Sequence, residues 1–162
     1  MNGVVVAVCI GKPGDLWKTP VSGEVPVDEH GLRGDRHAGP TRVSSKTKQT
    51  VPNERQVTIV GQEALDDLGR ELEVTLEPGD LGENICVSGL GDLSDVQPGA
   101  LLVTGRGVAF RVTGQNEPCS NLMEYHRLMV KASYRRRGLL AMVESGAGLA
   151  IAAGDTIELR AG

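Results

Sequence analysis

Glycine is the residue that most limits what this chain can fold into. There are 22 of them, and they cut the sequence into apolar, β-branched runs too short for long helices. Gly3 to Ile10 reads as a strand ending at the turn Gly11-Lys12-Pro13-Gly14. Further strands are predicted at Arg55 to Val60, Glu83 to Val87, Ala100 to Thr104, Val108 to Thr113, Leu139 to Glu144 and Thr156 to Leu159. Pro78-Gly79-Asp80, Gly89 to Leu93, Pro98-Gly99 and Gly105-Arg106-Gly107 separate the inner ones. Two segments have helical spacing. Ala64, Leu65, Leu68 and Leu72 predict a helix over Gln62 to Leu72, and Leu122, Tyr125 and Met129 predict a second from Asn116 to about Ala132. Leu72 to Leu76 returns to alternation. Thr41 to Glu54 is polar and weakly patterned, so a long mobile loop, a candidate lid, is expected there. Many short strands, sharp glycine corners and a few short helices point to a mainly β fold, a β-barrel with helices packed outside. Neither an internal repeat nor a linker interrupts residues 1–162, so a single domain is expected.

Composition narrows the function classes. A chain 40% hydrophobic and 23% charged has the balance of a soluble protein. No apolar run approaches the length of a membrane helix, and the first ten residues lack the flanks of a leader, so a cytoplasmic protein with no membrane partner is expected. Cys9, Cys86 and Cys119 are odd in number and far apart, which argues against a disulfide framework or a structural zinc site. Trp17, Phe110, Tyr125 and Tyr134 are the only aromatic residues. That is too few for stacking on nucleic acid, which is not expected as a partner. Charge is partitioned. Between Glu63 and Asp95 ten acids face a single base, Arg70. Arg33, Arg36, Arg42, Lys46 and Lys48 form one basic segment; Arg127, Lys131, Arg135, Arg136 and Arg137 form another. Such segments suit an anionic ligand, or are solvated faces.

Three motifs carry chemistry. Asn116-Glu117-Pro118-Cys119 places a thiol at the mouth of the second predicted helix, with Asn116 as N-cap and Pro118 in the first turn. Unpaired backbone N–H groups there would favour a thiolate, whereas a lone cysteine can also be a small buried hydrophobe. Gly34-Asp35-Arg36-His37-Ala38-Gly39 sets a carboxylate, a guanidinium and an imidazole between glycines. Arg36 offers a fork for phosphate or carboxylate, and Asp35 could orient Arg36 or His37. The plainer reading is a tight turn with a surface ion pair. Pro78-Gly79-Asp80-Leu81-Gly82-Glu83-Asn84-Ile85 is a turn entering a strand. Its Asn84 could read the edge of a heterocycle, or Asp80 and Asn84 could bond turn backbone.

Taken together, these runs resemble the molybdenum cofactor sulfurase C-terminal domains, the MOSC family. Gly34 to Gly39, Pro78 to Asn84, Gly89 with Leu93, Pro98-Gly99, Pro118-Cys119, Arg137-Gly138, Gly146 and Gly154-Asp155 match in order, from about Gly34 to Leu159. The resemblance implies a MOSC-type β-barrel. It implies that Cys119 either carries sulfane sulfur, as a persulfide, or ligates molybdenum in a pterin cofactor. Asp35, Arg36, His37, Gly79, Asp80, Gly82, Glu83 and Asn84 would then line the cofactor pocket. Many relatives have arginine just before Pro-Cys where this chain has Asn116 and Glu117, which shifts weight to Arg36 and to Arg135–Arg137. The chain has no room for a pyridoxal-phosphate desulfurase domain. A cysteine desulfurase or an electron-transfer partner is therefore implied. Expected functions are cofactor binding or sulfur carriage by a stand-alone MOSC protein, molybdenum-dependent reduction of N-hydroxylated compounds, or a non-catalytic binding module.

Overall fold

The computed structural model describes residues 1–162. In chain order its elements are β1 (Asn2–Ile10), β2 (Thr19–Pro20), β3 (Val25–Asp28), β4 (Gly31–Leu32), β5 (Thr41–Val43), β6 (Thr50–Pro52), β7 (Val57–Gly61), α1 (Gln62–Leu72) and β8 (Ile85–Ser88). They continue with β9 (Leu101–Thr104), β10 (Ala109–Gln115), a 3-10 turn (Ser120–Glu124), α2 (Met129–Ala132), β11 (Leu139–Ser145), β12 (Ala150–Ile151) and β13 (Thr156–Arg160). Strands β13, β9, β10, β11, β7, β8 and β1 pair in that order, and β1 pairs back onto β13 through Asn2↔Glu158 and Val4↔Thr156. The result is a closed seven-stranded barrel. Only β7 and β8 run parallel, joined by the crossover that contains α1. No helix is long and apolar enough to cross a membrane.

The barrel interior is filled by aliphatic side chains around Phe110, including Ile59, Ile85, Leu102, Leu139 and Ile157. A second apolar layer lies between the outer wall and the helices, with Cys9, Leu65, Leu68, Cys86, Leu122 and Met129. Every residue of β7 is therefore buried, because helix covers one face and the barrel core the other. In β1 the change of register between Val5 and Ala7 is a bulge opposite β8. It leaves Val5 and Val8 inside while turning Ala7 and Cys9 toward the helices.

The predicted barrel strands and α1 are present, most with boundaries within two residues. Three expectations need correction. Thr41 to Glu54 is not a plain mobile loop: β5 and β6 pair as a ribbon, Thr41↔Pro52 through Val43↔Thr50. A two-stranded ribbon away from the core has no buried face, hence no alternation to read. Asn116 to Ala132 is not one helix but an extended run, a 3-10 turn and the four-residue α2. Leu122 and Met129 are both fully buried against the barrel, so the helical spacing reported a shared buried side rather than a continuous helix. Leu72 to Leu76 forms no strand.

Candidate functional site

A cleft of about 990 Å³ opens where the loop after β4, the β5–β6 ribbon and the Cys119 segment converge. Arg36, Arg42, Lys46, Arg55 and Arg137 line it, against two carboxylates, Asp15 and Glu117. Thr58 and Gly82 border it from the barrel side. On a chain of net charge −4, this is a local concentration of positive potential.

Cys119 lines the cleft and is half-buried, while Cys9 and Cys86 are wholly enclosed. Its backbone is extended, with φ −121° and ψ 164°, and it precedes only a five-residue 3-10 turn. Asn116 is not an N-cap and Pro118 is not in a helix, so the helix-mouth argument for a thiolate falls. Tertiary bonds place the segment instead. The Asn116 N–H donates to Gly138 O at 2.8 Å, and Arg137 Nη1 donates to Glu117 O at 2.7 Å. The Nε of Arg137 also donates to Leu81 O at 3.2 Å, tying the cysteine segment to the Gly79–Gly82 turn. Arg135 and Arg136 are committed elsewhere, to Ser94 O and to the Glu71 carboxylate. Trp17, on the cleft rim, donates Nε1–H to Glu124 and rests on Tyr125 with ring centroids 5.5 Å apart.

The Gly34–Gly39 run divides between cleft and interior. Arg36 and His37 line the cleft. Arg36 Nη2 donates to Leu16 O at 3.0 Å, while its Nη1 is buried without a partner, as is Arg42 Nε. Asp35 is buried and faces inward. Its carboxylate accepts from Gly11 N at 2.9 Å, Lys18 Nζ at 3.0 Å and His37 N at 3.1 Å. Burial acts to raise its pKa, but Lys18 and these backbone donors outweigh that and hold it below the usual carboxylate range. It positions the backbone of His37 and leaves Arg36 to other partners.

Of the second glycine run, only Gly82 borders the cleft. A Cβ there would meet Arg137 Nη2 at 3.7 Å and the Trp17 ring at 3.8 Å. Gly79, Asp80, Glu83 and Asn84 do not line the cleft; they build the wall behind it. Gly79 has φ +97°, and a Cβ would sit 2.1 Å from Lys18 O, so this position needs glycine for close backbone packing. Asp80 accepts from Glu77 N at 2.7 Å within the turn. Glu83 is fully enclosed and accepts from Gly79 N at 2.6 Å and Leu81 N at 3.1 Å. Burial pushes its pKa up to about 7. Asn84 is equally enclosed: Oδ1 accepts from Lys18 Nζ and Thr58 N, and Nδ2 donates to Cys9 O. With its amide so engaged, Asn84 cannot read a ligand edge.

Lys18 was not among the sequence candidates. Its ammonium is completely enclosed and donates to Asp35, to Asn84 Oδ1 at 3.0 Å and to His37 Nδ1 at 2.9 Å. Burial lowers its pKa to about 8 despite the Asp35 carboxylate. His37 is exposed at the cleft, yet desolvation, then the Lys18 and Arg36 charges, lower its pKa to about 4. Asn53 was also missed. Its Nδ2 donates to His37 O at 2.8 Å and Gly39 O at 2.9 Å, anchoring the base of the ribbon to the His37 loop. No local pattern marks either residue.

The family model described as the MOSC domain matches residues 34–158. A Bacillus subtilis (strain 168) protein, YuaD, named provisionally for metal-sulfur cluster biosynthesis, is 27% identical over 150 residues, covering 82% of this chain and 77% of YuaD. The crystal structure of Bacillus subtilis YuaD superimposes with a TM-score of 0.88 at 25% identity, covering 100% of this chain and 97% of that one. YiiM from Geobacillus stearothermophilus shares the fold, with a TM-score of 0.72 at 22% identity over 97% of this chain and 74% of its own.

Proposed function

The chain belongs to the MOSC domain family, and from that premise we propose that its cationic cleft binds a phosphate-bearing molybdenum–pterin cofactor, with Cys119 as the protein's ligand to the metal. The observation that carries this reading is a half-buried thiol on the wall of a cleft lined by five cations. The donor set fits. No group of three or more His, Cys, Asp or Glu residues could hold a metal ion, so a metal at Cys119 must arrive with ligands of its own, as one in a pterin cofactor does. A soft sulfur is the appropriate single protein donor. Arg36 and Arg42 each keep a buried guanidinium nitrogen without a partner, an arrangement suited to an anion and costly without one. When bound, the metal would supply a redox centre for reducing an oxygenated substrate such as an N-hydroxylated base. Arg36, Arg42 and Arg137 would neutralise the cofactor's phosphate, and Arg137 would also hold the Cys119 segment in place through Glu117 O.

A second reading rests on the same sulfur. The name of YuaD points to metal-sulfur assembly, and Cys119 is the one cysteine not enclosed by the fold. In that role its thiolate takes a sulfane sulfur from a donor persulfide, releasing the donor as a thiolate, and later yields it to an acceptor. One experiment separates the two. Protein purified from a cell that makes the cofactor should carry molybdenum and pterin, and Cys119→Ser should retain little molybdenum. Cofactor-free wild type that instead gains one sulfur atom on Cys119 from a cysteine desulfurase would establish the carrier. Neither result in wild type would leave a binding module.

A further inference from the structure

Lys18 is an unusual residue to find behind an anion-binding cleft. Its side chain is fully enclosed, and all three ammonium protons are used, on Asp35 Oδ2, Asn84 Oδ1 and His37 Nδ1. An ammonium group has donors only, so Nδ1 of His37 must be the acceptor. The ring proton of a neutral His37 is then on Nε2, which has no partner within the protein, and the residue lines the cleft. Asp35 fixes the other end of the arrangement, accepting from both Lys18 Nζ and the backbone N–H of His37. Asn84 cannot turn its amide, because Nδ2 is bonded to Cys9 O.

Resting on the reading of the cleft as an anion site, we propose that Lys18 is a positioning residue, which fixes His37 as a neutral imidazole presenting Nε2–H to the anionic group of the ligand. The ligand oxygen gains a hydrogen bond from a ring polarised by the ammonium behind it, and His37 carries no charge of its own to desolvate. The charged and titratable groups around the pair are Cys9, Asp35, Arg36, Glu83 and Arg137. Arg36, Arg137 and Lys18 all oppose protonation of the ring, and Asp35 favours it. The lowered His37 pKa, about 4, agrees with a ring that stays neutral.

The test uses the intact chain labelled with [15N]histidine. Wild-type His37 should show an unprotonated Nδ1 and a protonated Nε2 from about pH 5 to 7, where an ordinary histidine titrates. Raising the pH through the Lys18 transition, about 8, should move the Nδ1 resonance as the donor set shrinks. In Lys18→Met the ring should exchange between tautomers. Titrated with inorganic phosphate, Lys18→Met and His37→Ala should each bind about tenfold more weakly, one hydrogen bond's worth. The double variant should be no worse than either single one. A wild-type proton on Nδ1, an Nδ1 signal that ignores the Lys18 transition, or additive losses in the double variant would overturn the proposal. Should Lys18→Met fail to fold, the wild-type spectra alone decide. Wild type that ignores phosphate would refute the anion cleft, while the tautomer measurement would still stand or fall independently.

Discussion

Residue by residue, the three thiols sort by environment. Burial, with Glu83 nearby, pushes Cys9 up to about 12, and burial raises Cys86 as well. Both are protonated and sealed at neutral pH, whereas Cys119 borders the cleft. Alkylation of the native protein followed by mass spectrometry should therefore label Cys119 first; faster labelling of either strand cysteine would contradict the site. Arg36→Ala should weaken anion binding by roughly 1.5–3 kcal/mol, the range for a hydrogen bond to a charged group, without unfolding the barrel. Glu83 makes a pH prediction. Its folded pKa, about 7, lies above the ordinary glutamate value of 4.5. The stability linked to it is thus fully present below about pH 4.5 and lost as pH rises through 7, by about 3 kcal/mol. His37, with a lowered pKa, has the opposite slope, so the readout is a difference. Urea unfolding at pH 5 and pH 7.5 should show that the gap between wild type and Glu83→Gln narrows at the higher pH.

Among the elements, the β5–β6 ribbon and α1 make different contributions. The ribbon brings Arg42 and Lys46 to the cleft and hangs from Asn53; the segment 44–50 between and into its strands is largely exposed. Replacing residues 44–49 with a two-residue glycine turn should change stability by no more than about 0.5 kcal/mol, as for most surface changes. The same variant should bind phosphate more weakly because Lys46 is gone. Equal binding would remove Lys46 from the site. Helix α1 is a packing element, with Ala64, Leu65 and Leu68 buried on β7 and β8. Leu68→Ala should cost about 2–5 kcal/mol in denaturant unfolding, the usual penalty for a cavity at a fully buried leucine. The Cys119 segment is held by Arg137 and Gly138 just before β11, and the turn that follows it shares the apolar layer of α1 through Leu122.

For the molecule as a whole, closure and charge matter most. The barrel closes only where β1 meets β13, so deleting residues 156–162 exposes the pairing edges of β1 and β9. That variant should lose cooperative thermal unfolding. Because the cleft is cationic on a chain of net charge −4, anion binding should weaken as ionic strength rises toward 1 M, where screening acts over about 3 Å. The sequence alone was enough for the barrel and for α1, whereas the local reason for choosing Cys119, a helix mouth, is absent from the structure, and tertiary bonds place that residue at the cleft. Those readings rest on local physics: alternation and apolar spacing, turn residues, and glycine where φ is positive, as at Gly79, Gly82 and Gly138. What the glycine-framed runs do was decided by tertiary structure. Arg36, His37 and Gly82 face the cleft while Asp35, Gly79, Glu83 and Asn84 support it from behind, a division no spacing announces. Lys18 was invisible for the same reason. Its partners lie 17, 19 and 66 residues away, and only the folded barrel brings a lone lysine, a carboxylate and an amide into one enclosed group with the His37 imidazole at its cleft edge.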